Sequence, residues 1–307
     1  MAFLKLLESL RTPAGDTFFS GITHLGEETL FIIVGLLIFW CWDKRTGFYL
    51  LLVSFTGTIV NQFLKLCVRM PRPWVLDPSL TIVESARAQA LGFSFPSGHT
   101  QNAVSVFGSI AVCRGNRLLR AVCVALCLLV PFSRLYLGVH TPLDVLAAAG
   151  ISLLLLIVCY RPAAAAMQNM RLMAALLCGM ILLGLALTLF AEHYPFPADT
   201  GAPELCEGVA TAWMLLGASL GFALGMLLDL RFLHFEVKAI WWAQLLKLTL
   251  GLALLFALRA GLKALLSPIS HPVANALRYF VILLFASAAW PSTFSIFSRL
   301  GGKRHNS

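Results

Sequence analysis

The chain has 307 residues, of which 59% are hydrophobic and 12% are charged, and its formal net charge is +9. Soluble domains usually carry about 25% charged residues, so this composition excludes a soluble globular domain and indicates a protein of the lipid bilayer. The positive charge does not predict a nucleic-acid partner, because the basic residues are divided among several loops and form no continuous stripe.

Residues 1–28 differ from the rest of the chain in their pattern. Lys5 and Glu8 are interspersed with Leu4, Leu6 and Leu7 at helical spacing, without an uninterrupted apolar stretch. We therefore expect an amphipathic helical segment along the membrane surface. The segment has neither the apolar centre nor the small-residue cleavage site of a signal peptide, so we expect it to remain in the mature protein.

Nine apolar stretches follow, and each is predicted to form a transmembrane helix. The predicted fold is an all-α, polytopic membrane helical bundle. After the amphipathic segment, residues 29–162 are expected to form a transmembrane core, and residues 163–307 to add C-terminal helices. The predicted spans are Leu30–Trp42, Phe48–Leu66, His99–Cys113, Leu118–Leu135, Leu143–Tyr160, Leu172–Phe190, Val209–Leu228, Ile240–Leu262 and Leu277–Phe297.

The distribution of basic residues predicts the orientation of these helices. If the amino terminus is outside, the inner connections contain groups such as Lys44 with Arg45, and the carboxyl-terminal tail contains Lys303 and Arg304. Lys and Arg are enriched in cytoplasmic loops. We therefore expect an integral protein of the inner (plasma) membrane, with the remaining cationic cluster on the non-cytoplasmic side.

Three short motifs occur in order, each where a predicted helix meets the outer surface. The first motif consists of Lys65, six intervening residues, and then Arg72 and Pro73. The second is Pro96-Ser97-Gly98-His99. The third consists of Ser133-Arg134, then His140 after five residues and Asp144 after three more.

At these motifs the chain resembles the type 2 phosphatidic acid phosphatase superfamily, which includes lipid phosphate phosphatases, glucose-6-phosphatases and vanadium haloperoxidases. All three motifs match at every defining position, and the resemblance covers residues 48–160. It implies a membrane phosphatase that acts through a phosphohistidine intermediate. The roles that the family assigns to its motif residues agree with those argued next from chemistry.

The cations and the second motif are suited to bind a phosphoryl group. Developing negative charge on the phosphate oxygens requires fixed donors, and these are available from Lys65, Arg72 and Arg134. A single such residue would more often be an interfacial anchor, but three together with two histidines favour a binding site. Ser97 is expected to cap a helix beginning near His99, and Gly98 would allow a phosphate to approach the backbone closely; a plain capped turn would fit the same residues.

The two histidines are assigned different roles in the reaction. Thr141-Pro142 predicts a helix start, so Asp144 lies in its first turn and can fix the tautomer of His140, the predicted nucleophile. His99 is the predicted general acid, which later activates water. We expect no cofactor and no metal, because the cations take the place of magnesium and no H-E-x-x-H or Asp-rich ligand pattern is present.

Three further features remain open at this stage. Residues 74–95 form a polar outer segment that could cover the site or be an ordinary connecting loop. Lys247 lies within an apolar span, where it requires a partner or a polar cavity. Most cysteines lie in apolar segments as small hydrophobes, and no disulfide is expected between Cys67 and Cys206.

The predicted substrate is a phosphorylated membrane lipid, such as undecaprenyl pyrophosphate, phosphatidylglycerophosphate or phosphatidic acid. A sugar phosphate is the alternative, since glucose-6-phosphatases resemble this arrangement of nine spans. A lipid phosphotransferase would differ only in its acceptor, and a haloperoxidase would require vanadate in the same pocket. A transporter or scaffold with an inert site is disfavoured by the intact His99, His140 and Asp144.

Overall fold

The computed structural model describes residues 1–197 and 201–300, so the predicted inner-side residues Lys303 and Arg304 lie outside the described part. Within these two ranges the chain is helical and contains no strand. The thirteen α-helices are α1 Ala2–Ser9, α2 Pro13–Thr23, α3 Glu28–Leu37, α4 Lys44–Val68, α5 Pro73–Leu76, α6 Gly98–Cys113, α7 Arg117–Tyr136, α8 Pro142–Ala166, α9 Met170–His193, α10 Ala202–Leu228, α11 Trp241–Leu265, α12 Val273–Leu284 and α13 Phe294–Arg299.

Seven helical segments of the described chain are long and apolar enough to cross a membrane, and an eighth is possible if a bent pair counts as one span. The bent pair joins Pro13–Gly26 to Glu28–Trp42 at an angle of 54°. The all-α polytopic class is therefore confirmed, whereas the predicted count of nine is not. Two predicted spans account for the difference. Leu30–Trp42 counts only as part of the bent pair, and α6 has 16 residues, fewer than the roughly 20 that a crossing helix needs.

The chain divides into two compact units. The first unit contains Met1–Ile32, Thr56–Cys159 and His193–Gly208, and the second contains Ile33–Phe55, Tyr160–Glu192 and Val209–Ser307. All residues of the three sequence motifs belong to the first unit. The three-part division expected from the sequence remains a prediction.

In the first unit, three helices begin after a capping side chain. Thr12 caps α2 by accepting from Gly15 N, with Pro13 in the first turn. Ser97 caps α6 by accepting from Thr100 N, as the sequence predicts. Asn116 caps α7 by accepting from Leu119 N.

The amino-terminal segment forms the helices α1 and α2, and its amphipathic character remains a prediction. In α1, Leu4 and Leu7 are buried whereas Leu6 and Leu10, just past the helix end, are exposed. In α2, the ring of Phe19 packs on that of Tyr136 from α7, with the ring centroids 4.3 Å apart. The segment therefore packs on the helix that carries the third motif. Its position along a membrane surface remains a prediction.

The second unit buries charged side chains, and each of them has a partner. Lys247 is fully buried; its Nζ donates to the Val237 carbonyl at 3.1 Å and lies 4.3 Å from the ring centre of Phe294. Lys44 forms an ion pair with buried Asp229. Such contacts offset the cost of removing a charge from water. All eight cysteines are free thiols.

Glycines on one face of α10 allow close contact with the carboxyl-terminal helices. Gly217, Gly221 and Gly225 are spaced four residues apart, as in the small-residue faces of packed membrane helices. A Cβ at Gly221 would overlap the backbone carbonyl of Phe280 in α12. The absence of a side chain at Gly221 therefore allows the backbones of α10 and α12 to lie this close together.

We expect Gly221→Ala to destabilise the protein by about 1–3 kcal/mol, because the added methyl group forces rigid backbones apart. The matched control is Gly179→Ala in α9, where an added Cβ meets no atom of the described residues within 4 Å. That change should be neutral or stabilising by up to about 1 kcal/mol, since Ala favours helix. Thermal unfolding in detergent measures both variants, and equal melting temperatures for the two would contradict the packing argument.

Candidate active site

His140 and Asp144 meet at the start of α8. His140 is 2% exposed and Asp144 is fully buried, and the distance from His140 Nδ1 to Asp144 Oδ2 is 3.4 Å. The same carboxylate oxygen accepts from Ser94 Oγ at 2.6 Å and from Thr141 N at 2.8 Å. These two donors hold the carboxylate in place beneath the imidazole.

Arg72 lies on the other side of the His140 ring. Its Nη1 is 3.0 Å from His140 Nε2 and also donates to the Val139 carbonyl at 3.2 Å. Its Nε and Nη2 donate to the carbonyls of Gly92 and Leu91. The guanidinium is thus held by the backbone of the segment between the first two motifs.

This contact determines the tautomer of His140. A guanidinium has donors and no acceptor, so His140 Nε2 must be the acceptor and carries the lone pair. The proton of the neutral ring is then on Nδ1, which faces Asp144. Burial, and then the charge of Arg72, hold the pKa of His140 well below its ordinary value, so the ring is neutral at neutral pH.

The second motif is joined to the third by a backbone hydrogen bond. Ser97 N donates to the Asp144 carbonyl at 3.1 Å, so α6 and α8 begin side by side. The first N–H groups of a helix have no acceptor within it and are available to an anion. A Cβ at Gly98 would meet no atom of the described residues within 4 Å, which leaves this helix start open to a ligand.

Arg134 and His99 have buried polar atoms that lack a partner among the described residues. Arg134 is fully buried; its Nη1 donates to Thr23 Oγ1 at 2.7 Å, whereas its Nε and Nη2 have no acceptor within the described part of the chain. His99 Nε2 likewise has none among these residues. Buried donors are nearly always satisfied in proteins, so these atoms indicate a polar ligand. His99 lies near His140 in the site.

Lys65 and Arg72 line two adjoining cavities. Lys65 is half-buried and borders a small cavity of about 30 Å³, together with Gly92 and Glu207. Arg72 borders a larger, open cavity of about 410 Å³ with Arg69 and Glu204. The larger volume is within the usual range of small-molecule sites. Lys65 also lies near enough to Arg72 and Arg134 to be influenced by their charges.

The structure thus gathers all eight sequence-predicted site residues in the first unit. They are Lys65, Arg72, Ser97, Gly98, His99, Arg134, His140 and Asp144. The polar segment 74–95, left open as a cover or a loop, supplies the carbonyls that hold Arg72 and the hydroxyl that holds Asp144.

Sequence reasoning missed three residues of the site. Ser94 lies two positions before the second motif, but a serine before Phe95-Pro96 has no pattern that sets it apart. Thr23 belongs to the amphipathic segment, which predicts only a surface helix. Glu207 lies in α10, far along the chain from the motifs. Each of them reaches the site through contacts that are distant in sequence.

Comparisons with known proteins identify the family of the chain. The family model described as the PAP2 superfamily matches residues 46–168, and the model described as PAP2 superfamily phosphatase, transmembrane extension, matches residues 213–303. Phosphatidylglycerophosphatase B of Bacillus subtilis is 32% identical over 167 residues, which cover 50% of this chain and 78% of that protein. The chain belongs to the PAP2 superfamily.

Two further similar proteins were found. Undecaprenyl-diphosphatase BcrC of Bacillus subtilis is 32% identical over 113 residues, which cover 37% of this chain and 55% of that protein. The crystal structure of Aquifex aeolicus LpxE is similar with a TM-score of 0.46 at 26% identity, covering 52% of this chain and 92% of the other. The residues that match the PAP2 superfamily model, 46–168, include all three motifs.

For this PAP2 protein we expect Ser94→Ala to lower kcat for a soluble phosphomonoester by about ten- to hundredfold. The change removes a buried hydrogen bond to a charged group, which contributes about 1.5–3 kcal/mol, and each 1.4 kcal/mol is tenfold in rate. Ser85→Ala, an exposed serine of the same segment that bonds Ser20, is the control and should retain wild-type kcat. Equal turnover for both variants would remove Ser94 from the site.

Proposed function

We propose that this protein hydrolyses a phosphate monoester or diphosphate carried by a membrane lipid, through a phosphohistidine intermediate and without a metal ion. Two similar Bacillus subtilis proteins are named for lipid phosphates, one as a phosphatidylglycerophosphatase and one as an undecaprenyl-diphosphatase. A similar Dictyostelium discoideum protein is named as a probable sphingosine-1-phosphate phosphatase. These names support a lipid phosphate as the substrate class.

The observation that carries the proposal is the pair of contacts to His140. Arg72 fixes the lone pair on Nε2, and Asp144 faces Nδ1. A nucleophilic imidazole needs this tautomer together with a third group that orients it. When a phosphate oxygen takes over the donor of Arg72, the Nε2 lone pair becomes free to attack the phosphorus atom.

In the first step, His140 Nε2 attacks phosphorus and the bond from phosphorus to the leaving oxygen breaks. His99 transfers a proton to that oxygen, so the alcohol or phosphate leaves in neutralised form. The phosphorylated imidazole carries positive charge. Asp144 stabilises this charge, because it lies against Nδ1 and is held by Ser94 and Thr141.

In the second step, water attacks the phosphorus atom of the phosphohistidine and gives a proton to His99. The bond from phosphorus to Nε2 breaks, its electron pair returns to the ring, and inorganic phosphate is released. Lys65, Arg72 and Arg134 offset the charge on the phosphoryl oxygens in both steps. Fixed cations thereby supply the charge stabilisation that magnesium provides in many phosphoryl-transfer enzymes.

The surroundings of the larger cavity suit an amphiphile. Arg72 and Arg69 are on its wall, and the apolar Val68, Val75 and Phe93 also line it. Val68 and Val75 are exposed, so an acyl or prenyl chain can leave the cavity along an apolar surface while the phosphate stays with the cations. A soluble sugar phosphate would make no use of this apolar side.

The test of the proposed function is phosphate release by the purified protein from three substrate groups: prenyl diphosphates, phospholipid monoesters and sugar phosphates. We expect turnover of a lipid substrate, and we expect His140→Ala to lower it by at least about a thousandfold, since the nucleophile is lost. Quenching with radiolabelled substrate should trap an acid-labile, base-stable phosphoenzyme in the wild type and none in the variant.

The controls for this test are circular dichroism and the melting temperature, which must show that His140→Ala is folded. Unchanged turnover in a folded variant would eliminate His140 as the nucleophile. If only a sugar phosphate is hydrolysed, the substrate class is sugar phosphates and not lipid phosphates. Formation of a newly phosphorylated lipid without free phosphate would identify a phosphotransferase.

We further propose that the protein lies in the inner membrane with the site on the non-cytoplasmic side, on the strength of the basic inner loops. Cys206 provides a native probe of this orientation, since it is exposed and follows the site residue Glu204 in α10. A membrane-impermeant maleimide should label Cys206 in intact spheroplasts, and Cys206→Ser should remove that label. Labelling only after the membrane is permeabilised would place the site on the cytoplasmic side.

A further inference from the structure

The amino-terminal segment contacts the site although it lies outside the residues 46–168 that match the PAP2 model. We propose that Thr23 is a positioning residue, which holds one donor of Arg134 so that the other two point as a fork at the phosphoryl group. This inference rests on the proposed function, because it takes the phosphoryl group as the ligand of Arg134. Three sets of contacts carry it.

The first set is the hydrogen bonding of the Arg134 guanidinium itself. Nη1 donates to Thr23 Oγ1 at 2.7 Å, whereas Nε and Nη2 are buried and have no acceptor among the described residues. Nε and Nη2 lie on the same edge of the guanidinium, which is the edge that binds two oxygens of a phosphate. Thr23 therefore occupies the donor that such a phosphate does not need.

The surroundings of Thr23 show that this contact is well fixed. Thr23 is 2% exposed and ends α2, and the turn His24–Gly26 follows it directly. A Cβ at Gly26 would lie 2.8 Å from the His99 carbonyl, and Asn102 Nδ2 donates to the Gly26 carbonyl at 3.1 Å. The turn that follows Thr23 thus contacts α6, the helix of His99. Thr23 therefore connects Arg134 to the helix that carries the proposed general acid.

The other end of α2 is anchored to α7. Arg11 Nε donates to the Tyr136 carbonyl at 2.9 Å, and its Nη1 donates to the Thr81 carbonyl at 2.7 Å. Thr12 N donates to the Tyr136 hydroxyl at 3.1 Å. Because Tyr136 is only two residues from Arg134, α2 cannot slide along α7 without breaking these bonds. This register places Thr23 opposite Arg134.

A carboxylate near Arg134 does not take the place of the phosphate. The charge of Glu27 acts on Arg134, but Glu27 Oε1 is 2.6 Å from His24 Nδ1. Its contribution to Arg134 is therefore electrostatic. The neutral hydroxyl of Thr23 orients the guanidinium without competing for the charge that the phosphoryl group needs.

The test compares Thr23→Val, which keeps the side-chain shape and removes the acceptor, with Thr23→Ser, which keeps the hydroxyl. Thr17→Val is the matched control, because Thr17 is exposed on the same helix and its hydroxyl bonds the Pro13 carbonyl. We expect Thr23→Val to lower kcat/KM for p-nitrophenyl phosphate about ten- to hundredfold. Inhibition by orthovanadate should weaken similarly, and both Thr23→Ser and Thr17→Val should stay near wild type.

A double-mutant cycle separates positioning from a purely structural role. In an Arg134→Ala background, Thr23→Val should have little further effect on kcat/KM, because the group that it positions is gone. Full additivity of the two changes would overturn the proposal. So would wild-type kcat/KM and vanadate affinity in folded Thr23→Val, or a loss confined to the melting temperature.

Two further measurements test the role of Thr23 even if a variant does not fold or the protein hydrolyses none of the substrates. If Thr23→Val does not fold, Thr23→Ala makes the same comparison with a smaller side chain. If the wild-type protein hydrolyses none of the substrates, the proposed function fails, but the binding of orthovanadate or inorganic phosphate still reports on Arg134. Equal anion affinity in the wild type and the Thr23 variant would then overturn the positioning role separately.

Discussion

The hydrogen bond from Arg72 to His140 Nε2 is the constraint on which the proposed chemistry of the site depends. A guanidinium cannot accept a hydrogen bond, so His140 Nε2 must be the acceptor. The proton of the neutral ring is therefore on Nδ1. Nδ1 must donate toward Asp144, and Asp144 must accept from Ser94 and Thr141 as well. The opposite tautomer would bring two donors together at Nε2 and leave the buried carboxylate facing a lone pair. The ring is thus ready to react only in one form.

Much of this site could be predicted from the sequence, because its main parts are local. Ser97 caps a helix that begins at the next residue, and Pro142 starts the helix that contains Asp144. Capping depends on residues within one turn, so the pattern is present in the printed chain. The cations were predictable for a different reason, since three of them occur in the same motifs as two histidines, a combination that interfacial anchoring does not explain.

What could not be predicted depends on pairs that are distant in sequence. Ser94 and Asp144 are 50 positions apart, and Thr23 and Arg134 are 111 apart; neither pair leaves a periodicity or spacing to detect. The predicted number of spans is not confirmed, for a related reason. The stretch from His99 to Cys113 is apolar enough to resemble a crossing, but the length of a helix is set by its caps and not by hydropathy.

The short α6 has a consequence for how substrate and water reach the chemistry. At about 1.5 Å per residue, its 16 residues extend about 24 Å, less than the roughly 30 Å of hydrocarbon in a bilayer. If its last residue meets one interface, its first lies several ångströms beneath the other. His99 would then sit in a recess under the headgroups. A lipid would lower its phosphate into this recess, and hydration of the recess would limit the final hydrolysis.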